Sequence, residues 1–178
     1  MKDNIWFTYK ARIQAYKRLE WLDIHSQFLL VWYAILGAVL AIVAIRYPQA
    51  LGANTDILAA VLSVALLGVS LAVANRDFRG RALAMMKNYK DLQKLYNLLG
   101  SVTNVTEAHS EAYHELLAES ENHKEIDDKR FRTSANSTLQ SRKPNKFDFF
   151  CVYCWLMVRA LITVSLYLGP VAIAWHLK

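Results

Sequence analysis

Three sets of side chains in this chain have types and spacings suited to chemistry. The first is an acidic ladder, Glu107, Glu111, Glu115 and Glu119, with His109, His114 and His123 close by. Four-residue steps stack side chains on one helix face, and carboxylates with imidazoles can ligate a divalent ion. A metalloprotease centre needs two histidines four apart around a glutamate, whereas His109 and His114 are five apart and His114 and His123 nine apart. Glu115, Glu119, His123 and Asp127 remain a conceivable ion set for a metal-dependent hydrolase. The plainer reading is a solvated acidic face, with no metal and no catalytic residue assigned.

The second set is Cys151 and Cys154, a C-x-x-C step at the mouth of an apolar segment. A redox motif of this kind opens a helix in a strand-rich fold, so packing is the expected role here. The third set is Ser63, Ser70 and Arg159, polar groups inside otherwise apolar runs. In an assembly they would face a lumen. In a single chain each serine is expected to bond to the carbonyl one turn back. Gly-rich phosphate loops, nucleophile elbows and paired-carboxylate signatures do not occur. The chain is expected to be non-enzymatic and to need no cofactor.

Two apolar runs position everything else. Phe28 to Ile45 and Ile57 to Ala74 hold no charge, and each is about 18 residues, the length of a helix crossing about 30 Å of hydrocarbon. The loop between them, Arg46 to Asp56, carries Pro48, Gly52 and Asn54 and turns the chain round. A chain of 178 residues has little other mass to wrap such helices. The pattern predicts a transmembrane hairpin. A third apolar segment, Phe147 to Trp175, is interrupted only by Asp148 and Arg159. An arginine in lipid costs about 2.5–3.5 kcal/mol, so Arg159 is expected to face protein, water or an interface. Gly169 and Pro170 are expected to kink the outer half.

The chain is 54% hydrophobic, yet its mean hydropathy is only +0.14. Apolar surface is therefore concentrated in a few stretches. The net charge of +6 suits either nucleic acid or an anionic lipid surface. Its placement beside the apolar runs favours the bilayer, and no direct nucleic-acid binding is expected. Two cysteines make no disulfide framework. A cleaved signal peptide is not expected either, because a largely polar stretch precedes the first apolar run. The sequons at Asn104 and Asn136 read as chance.

Lys2, Lys10, Arg12, Lys17 and Arg18 precede the hairpin, only Arg46 lies within it, and Arg76, Arg79, Arg81, Lys87, Lys90 and Lys94 follow it. By the positive-inside rule the N-terminus and everything after Ala74 lie in the cytoplasm. A third span would place the C-terminus outside. The expected location is therefore a membrane.

The predicted fold is an all-α membrane protein: a transmembrane helical hairpin, a third C-terminal span, and cytosolic amphipathic and heptad-patterned helices. Residues 1–26 read as an amphipathic helix, interfacial or packed on the cytosolic part, with Trp6, Tyr9, Ile13, Tyr16 and Leu19 on one line. The hairpin occupies 27–75 and a cytosolic helical region 76–132. Within the latter, the second span is expected to continue as a helix. Phe78, Ala82, Met85, Tyr89, Leu92, Tyr96 and Leu99 form a heptad seam on it, which could pair with a second copy or with the N-terminal helix and is the expected oligomerisation seam if copies assemble. A further helix is expected from about Glu107 to Ile126, then a flexible linker over 133–146 and the apolar segment over 147–178.

The order of these parts resembles a known family. A basic aromatic helix (AYKRLEWLDIHSQ, Ala15 to Gln27) precedes a tight hairpin, and a long helix follows (RALAMMKNYKDLQKLYNLL, Arg81 to Leu99). Then come an acidic helix (YHELLAESENH, Tyr113 to His123) and a late apolar segment. This is similar to the SLATT superfamily of two-helix membrane effectors, in the branch with an extra C-terminal span. The resemblance implies a prokaryotic anti-phage conflict system, and with it a prokaryotic inner membrane as the location. Its effector would form a homo-oligomeric pore when a sensor protein or signalling nucleotide from an adjacent gene triggers it. The resemblance implies no catalytic residues. A non-conducting membrane adaptor for a partner protein and the metal-dependent hydrolase are the rival expectations.

Overall fold

The computed structural model describes residues 1–49, 52, 55–102 and 104–176. Asn54 of the expected turn and the C-terminal Lys178 lie outside the described residues. The elements are α1 (Lys2–Arg46), α2 (Thr55–Ala74), α3 (Phe78–Ser101), α4 (Glu107–Ala118), α5 (Glu125–Ser134) and α6 (Lys146–His176). The protein is an all-α membrane protein, and three of its helical stretches are long and apolar enough to cross a bilayer. The described chain divides into two compact units. One combines Met1–Leu22 with Phe78–Leu156, the other Asp23–Asp77 with Met157–Lys178.

The first unit is a polar bundle built around the start of α1. Ile5 and Tyr9 pack with Leu92, Leu95 and Leu99 of α3, and Tyr113 and Leu116 of α4 close over them. About three turns further on, Ala15 and Leu19 pack with Ala82 and Met85. On another face Phe7 meets Phe131 of α5 and Leu139 beyond it, with Trp6 edge-on to both rings. The N-terminal helix is thus covered on several faces by its own chain. That is the packed role of the two expected for it.

Two expectations change with this packing. The α3 seam lies against α1 of the same chain, so Ala82, Met85, Leu92 and Leu99 are buried there, with Phe78, Tyr89 and Tyr96 packed beside them. Self-pairing through these residues would have to expel α1. The stretch 133–146, expected to be a loose linker, instead folds back on α1. Leu139 is 4% exposed, the Arg142 guanidinium lies 4.8 Å from the Phe7 ring centre, and its Nη2 donates to Asn4 Oδ1 at 2.6 Å.

The second unit is apolar. Val31, Ile35, Val39 and Ile42 of α1 and Val61, Val64, Leu67 and Leu71 of α2 are exposed, as lipid-facing side chains are. Gly52 has φ +97° in the connecting turn, a conformation that favours glycine, and Thr55 Oγ1 donates to its carbonyl at 2.7 Å. The α2 helix does not run on into α3. It stops at Ala74, and Asp77 takes φ 40° before Phe78 restarts the helix. Asn and Asp tolerate that conformation and favour helix starts, which explains the break at Asn75-Arg76-Asp77.

Pro170 lies inside α6 and has no N–H for the carbonyl four residues back, Leu166. Tyr33 of α1 supplies the missing donor: its hydroxyl donates to Leu166 O at 3.0 Å. Trp32 Nε1 donates to the next carbonyl, Tyr167 O, at 3.1 Å, and His25 Nδ1 lies 3.3 Å from the Tyr167 hydroxyl. Within a bilayer such a carbonyl has no water to fall back on. Tyr33→Phe is expected to destabilise the detergent-solubilised protein by about 1 kcal/mol. In a Pro170→Ala background, where the backbone amide returns, the same substitution should cost close to nothing. Thermal melts of the four variants check this.

Candidate functional site

The chemistry-bearing residues of the polar bundle gather around two arginines on α1. Arg12 is 1% exposed. Its Nη1 donates to Asn88 Oδ1 of α3, to Leu116 O at 3.2 Å and to Ser120 Oγ at 3.2 Å, and its Nη2 donates to Leu117 O at 3.2 Å. Asn88 Nδ2 also donates to Leu116 O, at 2.7 Å. The last carbonyls of α4 have no partners within their own helix and carry its negative dipole end. A buried guanidinium satisfies both demands. Burial holds the Arg12 pKa below its usual value, opposed by Tyr113 and Glu119.

Arg18, six residues on, grips Asp127 side by side: Nε to Oδ1 at 2.9 Å and Nη2 to Oδ2 at 3.0 Å. Asp127 is fully buried and also accepts the Lys124 backbone N–H at 3.0 Å, capping the start of α5. On α5, Arg132 and Lys129 reach Asp148 at 3.3 and 3.8 Å. Asp148 and Asn145 cap α6 reciprocally: Asn145 N donates to Asp148 Oδ2 at 3.1 Å, and Asp148 N to Asn145 Oδ1 at 2.7 Å. The one carboxylate in the third apolar segment is therefore an N-terminal capping group held by the polar bundle.

The acidic ladder does not form a metal centre. The expected helix from Glu107 to Ile126 is two helices, α4 and α5, with a bend at residues 119–124. That bend sends Asp127 to Arg18 while Glu119 pairs with Lys87 of α3. His109 is used locally, its Nδ1 meeting the Thr106 N–H at 3.2 Å and the hydroxyl at 2.8 Å at the start of α4. Among the described residues no three His, Cys, Asp or Glu side chains come together as a metal site. Cys151 and Cys154 are half-buried free thiols, and Lys129 Nζ lies 3.9 Å from Cys151 Sγ.

In the apolar unit, Ser63 donates to Ala59 O at 2.9 Å and Ser70 to Leu66 O at 2.8 Å, one turn back in each case. Arg159 is half-buried on α6, and Thr163 donates to its carbonyl at 2.8 Å. Nothing lies within 4 Å of where a Cβ would stand at Gly37 or Gly68. Sequence reasoning overlooked Arg12, Arg18, Asn88, Trp32 and Tyr33. A signal existed for Tyr33, since a proline in a span demands a donor for the carbonyl four residues back. None existed for the Arg18–Asp127 pair, whose members lie 109 positions apart.

Removing one member of a buried ion pair strands the other. Asp127→Asn is expected to destabilise the bundle by about 3–5 kcal/mol, while Arg18→Met with Asp127→Leu recovers most of that. Urea denaturation in detergent, followed by circular dichroism, reads both. His123 gives a pH dependence. It is half-buried with Nδ1 unpartnered, and burial and then Arg12 lower its pKa from 6.5, against Asp128 and Asp127. The unfolded chain takes the proton first as pH falls. The stabilising contribution is therefore complete above the unfolded value and is lost as pH drops through the folded one. Melting temperature should fall with pH below about 6.5, and His123→Gln should flatten that part of the profile.

The family model described as "SMODS and SLOG-associating 2TM effector domain family 5" matches residues 1–176. No curated protein matches the chain, and no solved structure does. The match includes α6, so the third apolar helix lies within the domain that the two-span description names. The chain belongs to the SLATT superfamily of membrane effector domains, in its fifth family.

Proposed function

We propose that this protein is a non-enzymatic effector of a prokaryotic anti-phage system. Triggered by a sensor protein or a signalling nucleotide, several copies assemble and open a conducting path through the inner membrane. The observation that carries this reading is the open face at Gly37 and Gly68. Both glycines lie mid-span, a Cβ at either would meet nothing within 4 Å, and each has a small residue four positions on, Ala41 and Ala72. Small residues so spaced let helix backbones approach closely in lipid. A lone hairpin encloses no water, so conduction requires copies. With the α3 seam already taken by α1, the spans are the surface we assign to assembly.

Residues 1–22 and 78–156 build one bundle. Both must then lie on the same side of a bilayer, which supports a hairpin that leaves and returns. The basic residues flanking the hairpin assign that side to the cytoplasm, and α6 then carries the C-terminus outward. The bundle is the part able to receive a trigger, which must bind one of its states better than the other. Arg159 stands near the cytoplasmic mouth of the path and favours anions there, with Ser63 and Ser70 further along.

Inducible expression in bacteria with the neighbouring genes, recorded with a potential-sensitive dye, should show depolarisation on phage infection. Gly37→Leu with Gly68→Leu should abolish depolarisation and cross-linked multimers while leaving the protein in the membrane. A wild-type protein that defends cells without ever depolarising them would replace the pore with the adaptor.

A further inference from the structure

The first turns of α6 are built differently on their two sides. One side belongs to the polar bundle: Val152 is buried, and Asp148 is held by Arg132 and Lys129 of α5. The other side presents Phe147, Phe150 and Tyr153, which are 64%, 63% and 61% exposed. Steps of three residues at about 100° each keep these rings within an arc of about 120°. Lys146, the first residue of α6, and Lys143, just ahead of it in the chain, are exposed. Lys129 Nζ sits 5.3 Å from the Phe147 ring centre, so cations already border the stripe.

Neither water nor hydrocarbon suits this face. Three large rings in water leave a contiguous apolar patch uncovered. Hydrocarbon is ruled out by Asp148, whose carboxylate is fixed in the bundle one residue after Phe147. Aromatic rings flanked by lysines match the headgroup layer, where rings sit at the boundary and cations meet lipid phosphate. The remaining helix agrees with that level. From Met157 to His176 there are 20 residues, about 30 Å of helix, which is one full hydrocarbon crossing. Arg159 then enters less than one turn below the boundary, within reach of the same phosphates.

We infer that Phe147, Phe150 and Tyr153, with Lys143 and Lys146, form a docking face for anionic phospholipid headgroups, so that α6 crosses the bilayer from about Met157 onward. The occupant is lipid rather than a second copy because the stripe is bordered by like charges in a chain whose own net charge is +6. This inference uses the membrane assignment of the family and not the pore. Channel activity can fail while the docking face stands.

The test uses the full chain with Cys151→Ser and Cys154→Ser, carrying a bimane label at Phe150→Cys, in nanodiscs of phosphatidylcholine with or without phosphatidylglycerol. Headgroup-level nitroxide lipid should quench the label more strongly than chain-terminal nitroxide lipid or aqueous iodide. Lys143→Glu with Lys146→Glu should lower the preference for phosphatidylglycerol about tenfold. Three results would overturn the inference. Dominant iodide quenching places the face in water, and dominant chain-terminal quenching places it in hydrocarbon. Cross-linking of labelled copies without lipid quenching makes it an interface between protomers.

Discussion

Two guanidinium groups buried on one helix set the terms for the polar half of this protein. Arg12 and Arg18 belong to a helix whose first 22 residues are enclosed by segments from the other side of the hairpin. A charge taken out of water must be answered at short range, or the group is expelled. Arg12 is answered by the carbonyl end of α4, and Arg18 by a carboxylate at the start of α5. Those two helix ends flank the same bend, so the arginines dictate where the chain turns between α4 and α5. The hydrophobic contacts around Ile5, Leu19 and Phe131 supply the adhesion, and the ionic contacts supply the register.

The apolar half solves the same problem with fewer means. Its carbonyls cannot borrow water, so each irregularity needs a donor from the protein itself. Pro170 creates one such need and Tyr33 meets it, while the span serines spend their hydroxyls on their own helices. Nothing lies within 4 Å of where a Cβ would stand at Gly37, Gly68 or Gly169.

A conformational trigger acting on the polar half would meet a bundle with a weak point. The bend at residues 119–124 carries two surface pairs, Lys87 with Glu119 and Arg81 with Glu121, which contribute little, while Ser120 and the Lys124 N–H bond to the buried Arg12 and Asp127. Within it lies His123, whose Nδ1 has no partner. Those surface pairs are thus cheaper to exchange than the buried contacts at the same bend.

Apolar run length and the absence of charge already determined that the chain enters a membrane as a hairpin, because crossing hydrocarbon depends on local composition alone. The third apolar helix was legible on the same ground, and the family on the order of parts. The seven-residue seam on α3 was legible as a contact surface, but its partner was not. A heptad stripe is satisfied equally by a second copy or by the chain's own N-terminal helix, and only the folded bundle chose α1. The ladder glutamates are exposed, as a solvated acidic face would be, but the single helix expected from Glu107 to Ile126 was misread because periodicity is blind to a bend. The helix stops after Ala118, since Arg12 takes the α4 carbonyls and Arg18 draws Asp127 away. Likewise Leu139 and Arg142 lie in polar, turn-rich sequence that reads as linker, yet Phe7 offers them a place to pack. Sequence by itself specified what each segment needed to hide. Tertiary structure decided what hides it, because burial partners far apart in the chain carry no local signature.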